Sequence, residues 1–293
     1  MSHGGRERLN TLPRSCCKPW DRVAYVLPVL LLGLLGALYW LLPHFYLTYV
    51  LEISNRESQA VELVTVLATF TASILLLWSA SKLWHLPTDW MCGMDLDPRD
   101  LRGPKRLRGR GGALIVGAVG LASFFFAGEE VNWGQNIFGW ASTVGLPRGM
   151  NVHNNAPISV QGLGTFLLCT VFFVIPVVWR GRRYWPQIAD WAPAVAEGPV
   201  IWVMAVAVIW AEVKVVYTRC FPHVRDIDRE TQQTAIAQIK GEASGDLEWA
   251  VIHYAGFFEQ IKEHKEMLVA VALLLYALYR VAKVKRLSMA RSA

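Results

Sequence analysis

The sequence is short of charge and of cysteine, and it lacks the usual signatures of a serine or zinc hydrolase. Asp, Glu, Lys and Arg make up only 18% of its 293 residues, against roughly 25% in soluble domains, which argues against a free-standing soluble domain. There are five cysteines. On the topology derived below, Cys16, Cys17 and Cys92 lie inside, Cys169 lies in a span and Cys220 alone lies outside, so no exofacial disulfide can form within one chain. No Gly-x-Ser-x-Gly elbow and no His-Glu-x-x-His pair occurs, so neither serine-hydrolase nor zincin chemistry has its usual motif. No repeat at a solenoid period and no inverted-repeat symmetry stands out.

Apolar residues are abundant. They form 54% of the chain, with 13 Trp and a mean hydropathy of +0.30. Six stretches are apolar over about the 17 to 25 residues that cross a hydrocarbon core: Arg22 to Leu42, Gln59 to Trp84, Gly112 to Gly128, Val160 to Trp179, Val200 to Tyr217 and Met267 to Ala282. The expected fold is therefore all-α, a single transmembrane helical bundle over residues 22–282. A basic segment, 1–21, precedes it, a basic tail, 283–293, follows it, and outer loops run over 129–159 and 218–266. The first stretch is longer than a signal-peptide core and ends in "YWLLPHF", so it reads as an uncleaved anchor. The last stretch is short, and apolar residues at helical spacing in "DLEWAVIHYAGFFEQIKEHKEM" extend its helix back to near Asp246. The polar piece from Arg229 to Lys240 reads as a surface helix.

Charge sets the orientation, because Lys and Arg flanking short loops stay cytoplasmic. With six spans, 20 of the 29 basic residues and only 8 of the 23 acidic ones fall on one side. That side is cytoplasmic and carries both chain ends. The basic excess behind a pI near 9.1 is then a topology signal and an attraction for anionic inner-leaflet lipid, and nucleic acid is not an expected partner.

The acids gather on the other face. Glu52, Glu57 and Glu62 lead into span two, Glu129 and Glu130 close span three, Glu212 and Lys214 lie in the outer part of span five, and Glu248, His253 and Glu259 precede span six. An ionised group at the centre of a span costs about 2.5 to 3.5 kcal/mol, less near the interface, so such groups pair or line a wet cavity. Glu62 and Glu129 also fit plain interfacial positions. Glu212 sits deeper and calls for a partner from another helix. Glu263, His264 and Glu266, with Lys262 and Lys265 beside them, read as a solvated, salt-bridged helix face. Beyond "FGW" the turn-rich "GLPRGMNVHNNAP" supplies Asn151, His153, Asn154 and Asn155. Carboxylate, imidazole and amide oxygen are ligand types for a divalent cation, with Glu129, Glu130 and His153 as the candidate ligands.

The run "FAGEEVNWGQNIFGW" followed by "MNVHNN", with "NRESQAVELVTVLATFTASILLL" upstream, resembles a family of bacterial multi-spanning membrane proteins of uncharacterised activity. Its pattern is Gly-Glu-Glu, Trp-Gly-Gln, Phe-Gly and then Asn and Leu-His-Asn. Val152 stands where that pattern has Leu, and Ser58 and Gln59 replace its Asp-Gly pair. The resemblance covers about one third of the chain. It implies a bacterial plasma membrane setting and points to Glu57, Glu62, Glu129, Glu130, Trp133, Gln135, His153 and Asn154.

Three functions fit these observations. One is a membrane-integral hydrolase or transferase acting on a lipid or lipid-linked substrate. Glu129, Glu130 and His153 would be its catalytic groups, and Trp133, Gln135, Asn151, Asn154, Glu62, Glu212 and Glu259 would hold the substrate. Another is a scaffold or accessory subunit with membrane-protein partners, whose polar residues fasten the long outer loop. The third is a transporter with Glu62, Glu129 and Glu212 along an ion or proton path.

Overall fold

The structure, a computed structural model, describes residues 18–42, 45, 60–85, 110–130, 166–181, 191–220, 231, 234, 235, 237, 238 and 249–292. Nearly all of these are helical, and none is in a strand. In chain order the helices are α1 (Lys18–Leu41), α2 (Ala60–His85), α3 (Arg110–Glu130), α4 (Phe166–Arg180), α5 (Gly198–Cys220) and α6 (Trp249–Ser292). The five isolated residues from 231 to 238 are helical, within the range expected for a surface helix.

Four helices are long and apolar enough to cross a membrane, through Arg22–Leu41, Leu63–His85, Arg110–Gly128 and Glu263–Met289. Phe166–Arg180 and Gly198–Val213 are shorter apolar segments. These features mark a membrane protein, and all six expected apolar stretches have a helix. α6 reaches further than its apolar stretch at both ends. Its 44 residues extend about 66 Å at 1.5 Å per residue, roughly twice a hydrocarbon core of about 30 Å. The backward extension toward Asp246 is therefore present, and residues 249–266, assigned to an outer loop, form the first turns of this helix.

α2 packs on both α3 and α6, α6 packs on α5, and α5 packs on α1 and on α4. Lipid tails are as apolar as leucine, so helices in a membrane associate by close packing, not by burying apolar surface from water. The α2–α3 seam shows this. Ala113, Gly120, Ser123 and Ala127 of α3 are buried, and a Cβ on Gly120 would lie 3.1 Å from Leu77 Cγ and 3.2 Å from Leu76 Cβ. Small residues at helical spacing let the backbones approach. The polar members of the seam satisfy themselves locally: Thr65 Oγ1 donates to Val61 O (2.9 Å), Thr69 Oγ1 to Thr65 O (2.7 Å) and Ser123 Oγ to Val119 O (2.8 Å).

α4 contains a widened, π-type turn at Thr170–Val174, immediately ahead of Pro176. Proline has no N–H to give to the carbonyl four residues back, and a π turn is a common accommodation. The turn carries Phe172, buried edge-on against Tyr276 of α6 with ring centroids 5.3 Å apart. α4, α5 and α6 thus share one core with the inner faces of α2 and α3.

Candidate functional site

Glu129 and Glu130 are the last two residues of α3 and Glu62 is the third of α2. All three therefore belong to helices, although 129–159 was expected to be loop. Gly120 lies against Leu77 and Gly117 against Ala80, with Phe124 near Phe70 (6.3 Å between centroids). The two helices are antiparallel in that register, so the amino end of α2, with Glu62, and the carboxyl end of α3, with Glu129 and Glu130, lie at the same end of the pair. The backbone brings three of the candidate carboxylate positions to one end of one helix pair. Their side chains lie outside the described residues, as do Glu57, Trp133, Gln135, Asn151, His153 and Asn154.

A second pair is equally ordered. Glu197 of the segment before α5 meets Arg280 of α6, and Trp210 meets His264 (6.1 Å between centroids), so α5 and α6 are antiparallel. Glu212 lies about level with Ile261, within a turn of Glu259, whose side chain is also outside the described residues. Glu212 itself is exposed, and no described residue pairs with it. The partner expected from another helix is not among the described residues, because Glu212 faces outward from the bundle.

The expectation of a solvated face at Glu263, His264 and Glu266 requires correction. His264 is fully buried beside Trp210, and Glu263 and Glu266 are half-buried. At i, i+3 and i+7, Ile261, His264 and Leu268 form one buried stripe, and the imidazole serves as a flat core side chain against the indole. The lysines in "EQIKEHKEM" suggested exposure, but the residues on the α5 side decide it.

The most completely defined polar cluster was not anticipated. Three residues of α6 at helical spacing, Tyr276, Arg280 and Lys283, donate to three consecutive carbonyls of the tight turn at 191–194. Tyr276 Oη donates to Ala194 O (2.7 Å), Arg280 Nη1 to Pro193 O, and Lys283 Nζ to Ala192 O (3.4 Å). Arg280 also forms an ion pair through Nη2 with Glu197, one residue before α5, and its guanidinium lies 4.9 Å from the centre of the Tyr276 ring. Arg280 is 1% exposed and Glu197 27%. The second carboxylate oxygen, Oε2, and Arg280 Nε are buried with no hydrogen-bond partner among the described residues. A buried cation in an apolar helix is costly unless paired and hydrogen-bonded. Here its carbonyl, carboxylate and aromatic contacts tie the amino end of α5 to α6.

The signal for this cluster was present in the sequence. Arg280 lies inside the predicted span 267–282 and so needed a partner, but it was counted with the basic residues that set topology. Among the described residues no group of three His, Cys, Asp or Glu side chains is placed to hold a metal ion. No protein-family model, curated protein or solved structure matches the chain. The likeness to the bacterial multi-spanning family thus assigns no residue a role.

Proposed function

We propose that the chain is an integral membrane protein of the bacterial plasma membrane, with six spans and both ends in the cytoplasm. In this reading its outer face carries an acidic site that acts as a hydrolase or transferase on a lipid or lipid-linked substrate. The observation that supports it is the antiparallel register of α2 on α3, which sets the amino end of α2 with Glu62 and the carboxyl end of α3 with Glu129 and Glu130 at one end of the helix pair. Carboxylates brought together from these positions at a membrane interface would repel one another and be partly desolvated. Both effects favour one protonated and one ionised group, the arrangement that general acid–base chemistry uses. His153, Gln135 and Asn154, supplied by the following loop, would complete the site as acid, base or orienting donors. A divalent cation bound by Glu129, Glu130 and His153 would supply Lewis-acid chemistry to the same site.

The test is turnover of a lipid-linked phosphate or ester substrate by the full chain in nanodiscs. Glu129→Gln should abolish turnover while leaving the thermal unfolding profile unchanged. If Glu129→Gln instead unfolds the protein, or if no turnover is detected with wild-type protein across lipid and lipid-linked substrates, the scaffold reading takes its place. That second reading has its own support. The polar cluster around Arg280 is a strut joining two elements, its donors given to the chain itself.

A further inference from the structure

Glu212 departs from the other acids whose side chains are described. Glu197, Glu263 and Glu266 are partly buried, whereas Glu212 is exposed and pairs with no described residue. Its own face of α5 is apolar. Val208 and Ile209 one turn before it, and Val215 and Val216 one turn after it, occupy the i ± 3 and i ± 4 positions. They are exposed too, Ile209 at 62% and Val216 at 58%. The core side of α5 is carried instead by Val200, Val203 and Met204. Neither cation in the outer part of α5 is placed to neutralise the acid. The Lys214 position is two residues away and on another face, and Arg219, on the same face, is about 10 Å further along the axis.

Counted from Gly198 at the start of α5, Glu212 stands about 21 Å along the helix at 1.5 Å per residue, inside the thickness of a hydrocarbon core of about 30 Å. An acid at that depth is costly unless it pairs or lines a wet cavity, and a cation on a neighbouring helix lowers the cost. We propose that this face of α5 docks a transmembrane helix of a different membrane protein, one that presents Lys or Arg at the depth of Glu212. The cation pairs with the carboxylate, and Val208, Ile209, Val215 and Val216 pack around the pair. Their β-branched side chains are already confined in a helix and lose little freedom on packing. A second copy of this chain does not suit the face, because a two-fold axis through it sets Glu212 against Glu212. A phospholipid ammonium does not suit it either, since headgroups lie outside the hydrocarbon core, beyond Val216. The inference rests on the membrane reading and on no catalytic activity.

The experiment reconstitutes the full chain, labelled with a donor dye, into phosphatidylcholine nanodiscs with acceptor-labelled, leucine-based transmembrane peptides. The peptides carry Lys, Leu or Glu a third of the way from one end, and energy transfer reads their association with the chain. The Lys peptide should associate more tightly than the Leu peptide. Glu212→Gln should remove that preference, a loss of roughly 3- to 30-fold from the usual worth of a polar contact between helices in a bilayer. Glu212→Lys should transfer the preference to the Glu peptide, which a merely structural role for Glu212 would not do. Equal association of the three peptides, or a Lys preference that survives Glu212→Gln, overturns the proposal alone. Loss of the preference when phosphatidylethanolamine replaces phosphatidylcholine would assign the cation to lipid and overturn the docking assignment. Energy transfer between two copies of the chain that depends on Glu212 would make the face a self-contact, with the same consequence. Failure of the chain to enter the nanodisc overturns the membrane reading as well.

Discussion

Consider removing the carboxylate of Glu197. Arg280 is buried, gives one donor to Pro193 O and one to Glu197, and has no described partner at Nε. Glu197→Ala leaves its charge with one carbonyl and the Tyr276 ring as compensation. Breaking a fully buried pair from one side costs about 3–5 kcal/mol. Glu197 is about a quarter exposed, which screens part of that attraction, so a cost of about 2–3 kcal/mol is expected. A loss of that size raises the unfolded-to-folded ratio by roughly 30- to 150-fold. Replacing Arg280 as well, in Glu197→Ala with Arg280→Met, removes the stranded charge and keeps much of the volume. Such replacement of a buried pair by apolar groups is often close to neutral, apart from about 1 kcal/mol for the donor lost at Pro193 O. The double variant should therefore be more stable than Glu197→Ala alone. Reversible unfolding in mixed micelles, with the two single variants and the double variant forming a cycle, measures this directly. If the double variant loses at least the sum of the single losses, the ion pair is not the coupling that holds α5 to α6, and the reasoning fails.

The glycines of α3 give a contrast of sign. Gly120→Ala meets Leu77 and Leu76 at 3.1–3.2 Å, so overpacking of about 1–3 kcal/mol should outweigh a helix-propensity gain of about 1 kcal/mol. Gly117→Ala meets Ala80 at an ordinary 3.5 Å and should be neutral or stabilising in the same unfolding assay. Gly198→Ala presses on the Tyr25 hydroxyl; Tyr25→Phe should restore most of the stability it loses, and a lack of rescue would mean that α1 is held elsewhere. Ser79 Oγ is buried with no hydrogen-bond partner among the described residues, so Ser79→Ala should raise stability by about 1 kcal/mol, and a loss would point to a bound water or ligand at that oxygen.

Helix positions were legible because a span is fixed by length and apolarity alone, properties that sum along the chain. The starts and ends of α1, α2 and α3 lie within four residues of the apolar stretches that indicated them. The pairing of helices was not legible. In a membrane the outside of a bundle is as apolar as its inside, so hydropathy does not distinguish Leu121, which is exposed, from Leu76, which is fully buried. The distinguishing signal lay in the small residues Ala113, Gly120, Ser123 and Ala127, whose spacing defines a seam. His264 was misjudged for a related reason: its neighbours in sequence are charged, but its neighbour in space is Trp210.

The acidic residues sort by the same logic. Glu62, Glu129 and Glu130 are placed by where α2 and α3 end. Glu212 faces outward and owes nothing to the core. Glu197 is drawn toward the protein, and there a cation, a backbone carbonyl and an aromatic ring are arranged around it or its partner. A buried charge obliges the fold to supply contacts from the chain itself, whereas an interfacial charge leaves its ligand free to come from outside. Chemistry on an external substrate is therefore better sought at the α2–α3 end, where the backbone sets the positions of Glu62, Glu129 and Glu130 at one end of a helix pair, than at Arg280, where the donors are mostly committed to the chain itself.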